Sequence, residues 1–416
     1  MKRLGRLKGA LLLAALSGGL SVPPLLAQVA PTEAPQATSP LDKSNRAASN
    51  QNPDLAGHPV PPTVTPTERI PVQRLKLPPG FKAEIWSQGH PGGRTMVTGP
   101  RGTLFVGSRA IGRVYAITEN GGRRQVKTII QGLQEPNGLV IHNGALYVFA
   151  IHRVFRYDNI EDKLDAPGQP VELTAAFDLP ATRHHNWKYV AFGPDGKLYV
   201  QVGANCNICE LNPGTHAHIR RYNIDGTGME IVARGIRNTV GFDWHPTTRE
   251  LWFTDNGRDW AGDNGPQDEL NRIPAGQDGA FFGFPYCHAM GIADPDIKTP
   301  NACANVVLPA ALTGPHSAGL GIKFYTGTMF PAAYRGAAFI ARHGSWNRSQ
   351  KFGYDVVVAK TTADGKATLE PFMTGLLDEA RNEFYGRPAY VHQMPDGSLL
   401  VSDEVNGAIY RISYAL

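Results

Sequence analysis

Five polar stretches of this chain carry residue types that do chemistry. His184 and His185 lie in "PATRHHNWKYVAFGPDG", just upstream of an alternating apolar run. Imidazole is the side chain that most readily accepts an alcohol proton near neutral pH. Taken alone, the pair reads as ordinary loop histidines. Arg237 and Asn238, in "ARGIRNTVGFDWHP", suit a polyoxygenated anion, and equally a structural arginine pairing across a channel. Thr254–Asn271, "TDNGRDWAGDNGPQDELN", is crowded with carboxylates, amides and glycines. Such a loop offers the hard oxygen donors that calcium prefers. It lacks EF-hand spacing, and a solvated acidic turn is the plain alternative. "FIARHGSWNRSQ" contributes His343, Trp346, Asn347 and Arg348, and "EFYGRPAYVHQMPDG" contributes Arg387. If Arg237, Arg348 and Arg387 converged, they would call for a multiply charged anion, because a buried guanidinium without a partner is costly.

The elements that must position these residues recur along the chain. A polar turn leads into an alternating strand at "GPRGTLFVGSR", "HNGALYVFAIHRVFRYD", "GPDGKLYVQVG", "HPTTRELWFTD", "YRGAAFIARHG" and "MPDGSLLVSDEVNGAIYRI". Asp-Gly and Asn-Gly ahead of alternating apolar residues signal hairpins. The instances lie roughly 40–60 residues apart, the length of a four-stranded blade. One longer gap, between Asp255 and Tyr334, implies an insertion. Strands of this kind have apolar faces to bury, and radial packing buries them while leaving short edges. The pattern predicts an all-β fold, a six-bladed β-propeller of four-stranded antiparallel blades. A β-sandwich is the alternative, but it does not account for the repeat.

Composition agrees with a turn-rich β chain: Gly 46, Pro 33 and only 19% charged residues. The formal charge is +5, but four of the basic residues (Lys2, Arg3, Arg6, Lys8) lie at the extreme N-terminus, leaving the rest near +1. That balance argues against non-specific nucleic-acid binding. Those basic residues precede the apolar stretch Ala10 to Leu20 and small residues, the layout of a signal peptide over 1–27 cleaved after Ala27, or alternatively after Ala30. A retained anchor is the less favoured reading. The mature chain is expected to be periplasmic or secreted, without a membrane span. Residues 28–71, rich in Pro, Ala and Ser, read as a flexible segment, and 72–416 as the propeller. Four cysteines in an oxidising compartment favour two disulfides. Sequence proximity suggests Cys206–Cys209 and Cys287–Cys303 among three possible pairings, with a zinc site as the rival.

In this order, the motifs resemble the soluble aldose sugar dehydrogenases and L-sorbosone dehydrogenases that depend on pyrroloquinoline quinone (PQQ). The resemblance runs from Leu75 to Ile412. It implies PQQ at the mouth of the propeller channel, with Ca2+ bridging cofactor and protein. It further implies His185 as general base, with His184 where a relative carries Asp. Arg237 and Asn238 would contact the cofactor, Arg237 also stabilising developing charge, and Arg387 would contact its carboxylates. The backbone carbonyls of Gly257 and Arg258 would bind calcium, with Asp268 beside the substrate. Arg348 stands for a lysine of the glucose dehydrogenases and Asn137 for a glutamine, while Pro388 and Ala389 follow Arg387 where those enzymes carry a second arginine. These departures bear on glucose specificity more than on cofactor use. The implied activity is oxidation of a sugar or polyol. The electrons would pass to an external acceptor, because Glu210 after Cys209 leaves no haem attachment motif. Two other functions fit the residues: a calcium-dependent lactonase, and a non-catalytic binding propeller.

Overall fold

A computed structural model describes residues 59–415, except Pro213. The signal segment 1–27 and residues 28–58 lie outside the described residues. Six four-stranded antiparallel sheets form a ring. Blade 1 comprises Gly93–Thr98, Leu104–Ser108, Arg113–Asn120 and Arg123–Gln131. Blade 2 comprises Gly138–His142, Ala145–Ala150, Arg153–Tyr157 and Val171–Glu172. Blade 3 runs through Val190–Phe192, Leu198–Val202, His218–Tyr222 and Glu230–Arg234, and Ala280–Phe281 adds a short parallel strand at its outer edge. Blade 4 contains Phe242–Trp244, Leu251–Asp255, Gln267–Arg272 and Ala311–Pro315. Blade 5 contains Gly319–Phe324, Ala338–Arg342, Asp355–Thr361 and Ala367–Met373.

Blade 6 is assembled from both ends of the described chain. Pro388–Gln393, Leu399–Asp403 and Ala408–Tyr414 are completed by Phe81–Gln88, which pairs Phe81 with Tyr414 and Gln88 with Ala408. This closure pairs what would otherwise be an open strand edge. Each of the six sequence repeats supplies the second strand of one blade. The long gap after Asp255 is an insertion between the third and fourth strands of blade 4, pinned by the Cys287–Cys303 disulfide.

Alternation along a strand explains the radial packing. In blade 2, Leu146, Val148 and Ala150 join a cluster with blade 1, while Ala145, Tyr147 and Phe149 join one with blade 3. Both faces of such a strand are buried, so its sequence, "ALYVFA", is continuously apolar. Equivalent clusters fill the remaining blade junctions and close the ring between blades 6 and 1. Each fully buried Val, Leu or Phe contributes about 1.5–3 kcal/mol. The centre is plugged by Trp187, Val240, Leu320, Ala389 and Tyr390, with Met96 and Tyr189 packed against them. The ordered fold also reaches upstream of Val72, into the segment read as flexible: Ile70 is 1% exposed in the blade 5–6 core, and the Gln88 side chain donates to Thr67 Oγ1.

Candidate active site

The apolar plug forms the floor of a cavity of about 830 Å³. A simple rule of chain geometry decides which residues line it. The positions immediately after the second strands of blades 1, 4, 5 and 6 are Arg109, Asn256, His343 and Glu404, and all four reach the cavity. So do residues that enter or begin first strands: Arg94, His185 and Trp187, Arg237 and Asn238, His316, and Arg387. Among the described residues, loops of all six blades thereby meet at one mouth.

His185 is buried and has a left-handed backbone (φ 53°). Its Nδ1 lies 3.0 Å from the Ala204 carbonyl oxygen. A carbonyl can only accept, so Nδ1 carries the proton and Nε2 keeps a free lone pair. Burial, reinforced by the Arg237 cation and by His184, holds its pKa well below the usual imidazole value, so the ring is neutral at neutral pH. Gly203 makes this placement possible, since a Cβ there would stand 2.3 Å from the His185 carbonyl oxygen. The His184 ring meets the His185 ring edge-on at 4.0 Å.

Arg237 is fixed on every side. Nε donates to the Asn207 carbonyl (2.8 Å) and one terminal nitrogen to the Asn256 carbonyl (3.0 Å). The other terminal nitrogen donates to Asn207 Oδ1 (2.8 Å) and Asp259 Oδ2 (2.9 Å). Its backbone is held by the buried carboxylate of Asp255, which accepts the N–H groups of Arg237 (2.9 Å) and Asn238 (2.6 Å). Blade 6 repeats the device: Asp403, at the end of its second strand, accepts the N–H of Arg387 at 3.0 Å. Arg387 donates to the carbonyls of His343 (3.0 Å) and Gly344 (2.7 Å), and burial lowers its pKa to about 10.

Asp268 accepts from the N–H of Gly257 (2.8 Å), Ser317 Oγ (3.1 Å) and the N–H of Ala318 (2.7 Å). Glu404 bridges Arg94 (2.7 Å) and His343 Nε2 (2.8 Å). Burial opposes its ionisation, but Arg94 and the bond from His343 prevail and hold its pKa well below the usual value. On the blade 1–2 side, Glu135 lies 3.9 Å from Arg109 and 3.6 Å from Arg183, and the Arg109 guanidinium stacks 3.9 Å above the Trp187 ring.

Of the residues singled out from sequence, the cavity brings together His184, His185, Arg237, Asn238, Gly257, Asp268, His343, Trp346 and Arg387. Four others lie outside its lining. Asn347 is buried, and its Oδ1 accepts the Trp260 N–H at 2.8 Å. The Arg348 side chain donates to the carbonyls of Asp263 and Gln350 and to Asn264 Oδ1. Asn137 is buried, its side-chain amide donating to the Lys188 carbonyl at 2.8 Å. The Arg258 side chain, 1% exposed, points into the insertion, pairing with Asp294 (2.7 Å) and Asp296 (2.9 Å). Sequence reasoning missed Arg94, Arg109, Glu135, His316 and Glu404, while Arg183, Asn256 and Asp259 lie within stretches it singled out without naming them. Several of them follow a second strand, a signal available once the repeats are aligned by strand. Both disulfides form as proximity suggested, Cys206–Cys209 and Cys287–Cys303.

The lining has two properties that a ligand would answer. Five arginines (94, 109, 183, 237, 387) face four carboxylates (Glu135, Asp259, Asp268, Glu404), leaving an excess of positive charge. Trp187 Nε1, Asn238 Oδ1 and Asn256 Oδ1 are buried without hydrogen-bond partners. Among the described residues no group of three or more His, Cys, Asp or Glu side chains is arranged to hold a metal ion. The lining does offer amide and backbone oxygens, at Asn256 and Gly257, of the donor class that hard cations take.

Residues 75–415 match the model of the TrAA12-like family. The chain is 32% identical over 354 residues to an uncharacterized protein of Borreliella burgdorferi, covering 82% of this chain and 91% of that one. It is 25% identical over 323 residues to the pyrroloquinoline quinone-dependent pyranose dehydrogenase of Coprinopsis cinerea, covering 64% of this chain but only 43% of that longer protein. In structure it superposes on the calcium structure of the Trichoderma reesei Carbohydrate-Active Enzymes Family AA12 protein with a TM-score of 0.68, at 21% identity, over 82% of this chain and 97% of the other. The family resemblance read from the motifs is thereby supported, and the chain belongs to the TrAA12-like family.

Proposed function

We propose that this protein is a PQQ- and calcium-dependent dehydrogenase that oxidises a hydroxyl or hydrated aldehyde of a sugar, with His185 as general base. The observation that carries the reading is the convergence of arginines from blades 1, 3, 4 and 6 on one cavity, beside a neutral imidazole with a free Nε2. A hydrolase acting on a neutral lactone has no use for that many cations. A tricarboxylate cofactor does, and the Coprinopsis relative depends on one.

The residues present fit both groups. Arg237, Asn238 and Arg387 would hold PQQ, and the unpartnered Trp187 N–H offers it a further donor. Carbonyl oxygens of Gly257 and Arg258, with the unpartnered amide oxygen of Asn256, would hold calcium. When bound, PQQ supplies a two-electron quinone that accepts hydride. The protein supplies the rest. His185 Nε2 takes the substrate hydroxyl proton while Nδ1 stays fixed to Ala204, so the ring neither turns nor changes tautomer. Arg237, already held by four acceptors, presents its charge where negative charge develops, without reorganising. Asp268 lies in the same lining and would orient the sugar. The electrons would then leave to an external acceptor, and a signal peptide over 1–27 would direct the enzyme to the periplasm or outside the cell.

The test is reconstitution. Purified apo-protein is titrated with PQQ and Ca2+, followed by quenching of tryptophan fluorescence. A sugar panel with an artificial electron acceptor comes next. Saturable PQQ binding that needs Ca2+, followed by sugar-dependent dye reduction, is the expected result. Failure to bind PQQ, or hydrolysis of sugar lactones in its place, would overturn the reading.

A further inference from the structure

We propose that Asn207, presented by the four-residue Cys206–Cys209 disulfide loop, is the positioning residue of Arg237, and that the loop is a clamp on the site. The proposal rests on the reading above that Arg237 serves the cofactor. Asn207 itself makes four hydrogen bonds toward the site. Its carbonyl accepts Arg237 Nε at 2.8 Å, and its Oδ1 accepts both an Arg237 terminal nitrogen (2.8 Å) and the Asp259 N–H (2.8 Å). Its Nδ2 donates to the Asp259 carbonyl at 3.0 Å. Arg237 and Asp259 pair with each other at 2.9 Å, so Asn207 closes a three-membered network.

The chain just before the disulfide serves the same site. Ala204 accepts the His185 Nδ1 proton on its carbonyl, and its N–H donates to the Arg237 carbonyl at 2.8 Å. Residues 203–207 thus fix the tautomer of the base and the aim of the arginine together. Such a short irregular loop has many conformations open to it, and ordering each backbone residue costs about 1–2 kcal/mol. Closing it between Cys206 and Cys209 removes many of those conformations from the chain in advance. The two halves of the clamp are separable: the side chain of Asn207 supplies Oδ1 and Nδ2, while the disulfide holds its carbonyl against Nε.

A double-mutant cycle on PQQ binding by the calcium-loaded protein tests this. N207A should weaken PQQ binding about ten-fold in the wild-type background and less than two-fold in the R237A background, because its effect passes through that guanidinium. An equal loss in both backgrounds, or no loss in the first, overturns the proposal. C206A/C209A should weaken binding several-fold with Asn207 in place; unchanged binding would remove the disulfide from the clamp. A crystal structure of N207A separates this proposal from the cofactor reading. If wild type itself binds no PQQ, that reading fails, and the clamp then stands or falls on whether the Arg237 guanidinium has left the Asn256 carbonyl and Asp259.

Discussion

The two sides of the cavity are built differently. On the blade 3–4 side, Arg237 has four acceptors within 3.0 Å, His185 is tied to Ala204, and Asp255 holds the backbone beneath both Arg237 and Asn238. On the blade 1–2 side, Arg109 and Arg183 reach Glu135 only at 3.9 and 3.6 Å, one Glu135 oxygen is buried without a partner, and Arg183 is two-thirds exposed. The difference is one of preorganisation: the guanidinium and imidazole of the blade 3–4 side are fixed by hydrogen bonds formed in advance, whereas the arginines of the blade 1–2 side are held by longer ion pairs and are freer to adjust.

The largest effect should come from removing the proposed base on the braced side. His185→Ala is expected to lower turnover by about 10²–10⁴-fold while PQQ binding, read by fluorescence titration, persists; turnover within ten-fold of wild type would place the base elsewhere. Next is Gly203→Ala, whose new Cβ would lie 2.3 Å from the His185 carbonyl oxygen and 3.1 Å from that of Arg237. It should cost about 1–3 kcal/mol in urea denaturation and reduce turnover beyond that loss of folded protein. An unchanged variant would show that the brace yields.

The loose side should respond more weakly and in a different parameter. Arg183→Ala and Arg109→Ala are expected to weaken anionic-ligand binding by roughly two- to ten-fold, with a reduced dependence on salt and little change in turnover at saturation. A large fall in turnover from either variant would erase the distinction between the sides.

The smallest effect is on stability against pH. Burial raises the pKa of Glu269, and the neighbouring Asp255 carboxylate raises it further. A raised carboxyl favours the folded state in its protonated form. That contribution is complete below the ordinary carboxylate range and fades as pH rises through the raised value. Wild type should therefore lose thermal stability from about pH 5 to pH 8 by an amount of order 1 kcal/mol more than Glu269→Gln does. Parallel curves for the two proteins would show that the buried carboxyl is ionised throughout.

The sequence carried the architecture further than the site. Alternating strands behind Asp-Gly and Asn-Gly turns recur six times, and each is a second strand of a blade, because turn chemistry and apolar alternation act over a few residues and are written locally. Nothing local marks Phe81–Gln88 as the partner of Ala408–Tyr414, more than three hundred residues away. Within the site, His185 and Arg237 stood out by residue type. Glu404 did not, because an acid after "LLVSD" looks like any turn residue until Arg94 and His343 arrive from blades 1 and 5. Arg348 failed in the opposite sense: its type suited the cavity, but nearby carbonyls of Asp263 and Gln350 claim it.

What the sequence determined by itself was local: the strands, the turns and the residue types able to do acid–base and anion chemistry, while the cysteine pairing was suggested by proximity and settled by the fold. Only the tertiary structure decided which of them meet. Convergence at a propeller mouth depends on blade order and on the direction each loop leaves its strand, and those follow from packing all six blades around one axis. The bracing of Arg237 by Asn207, the proton on His185 Nδ1 and the unused capacity around Glu135 are properties of distance and burial, and a linear chain does not contain distances.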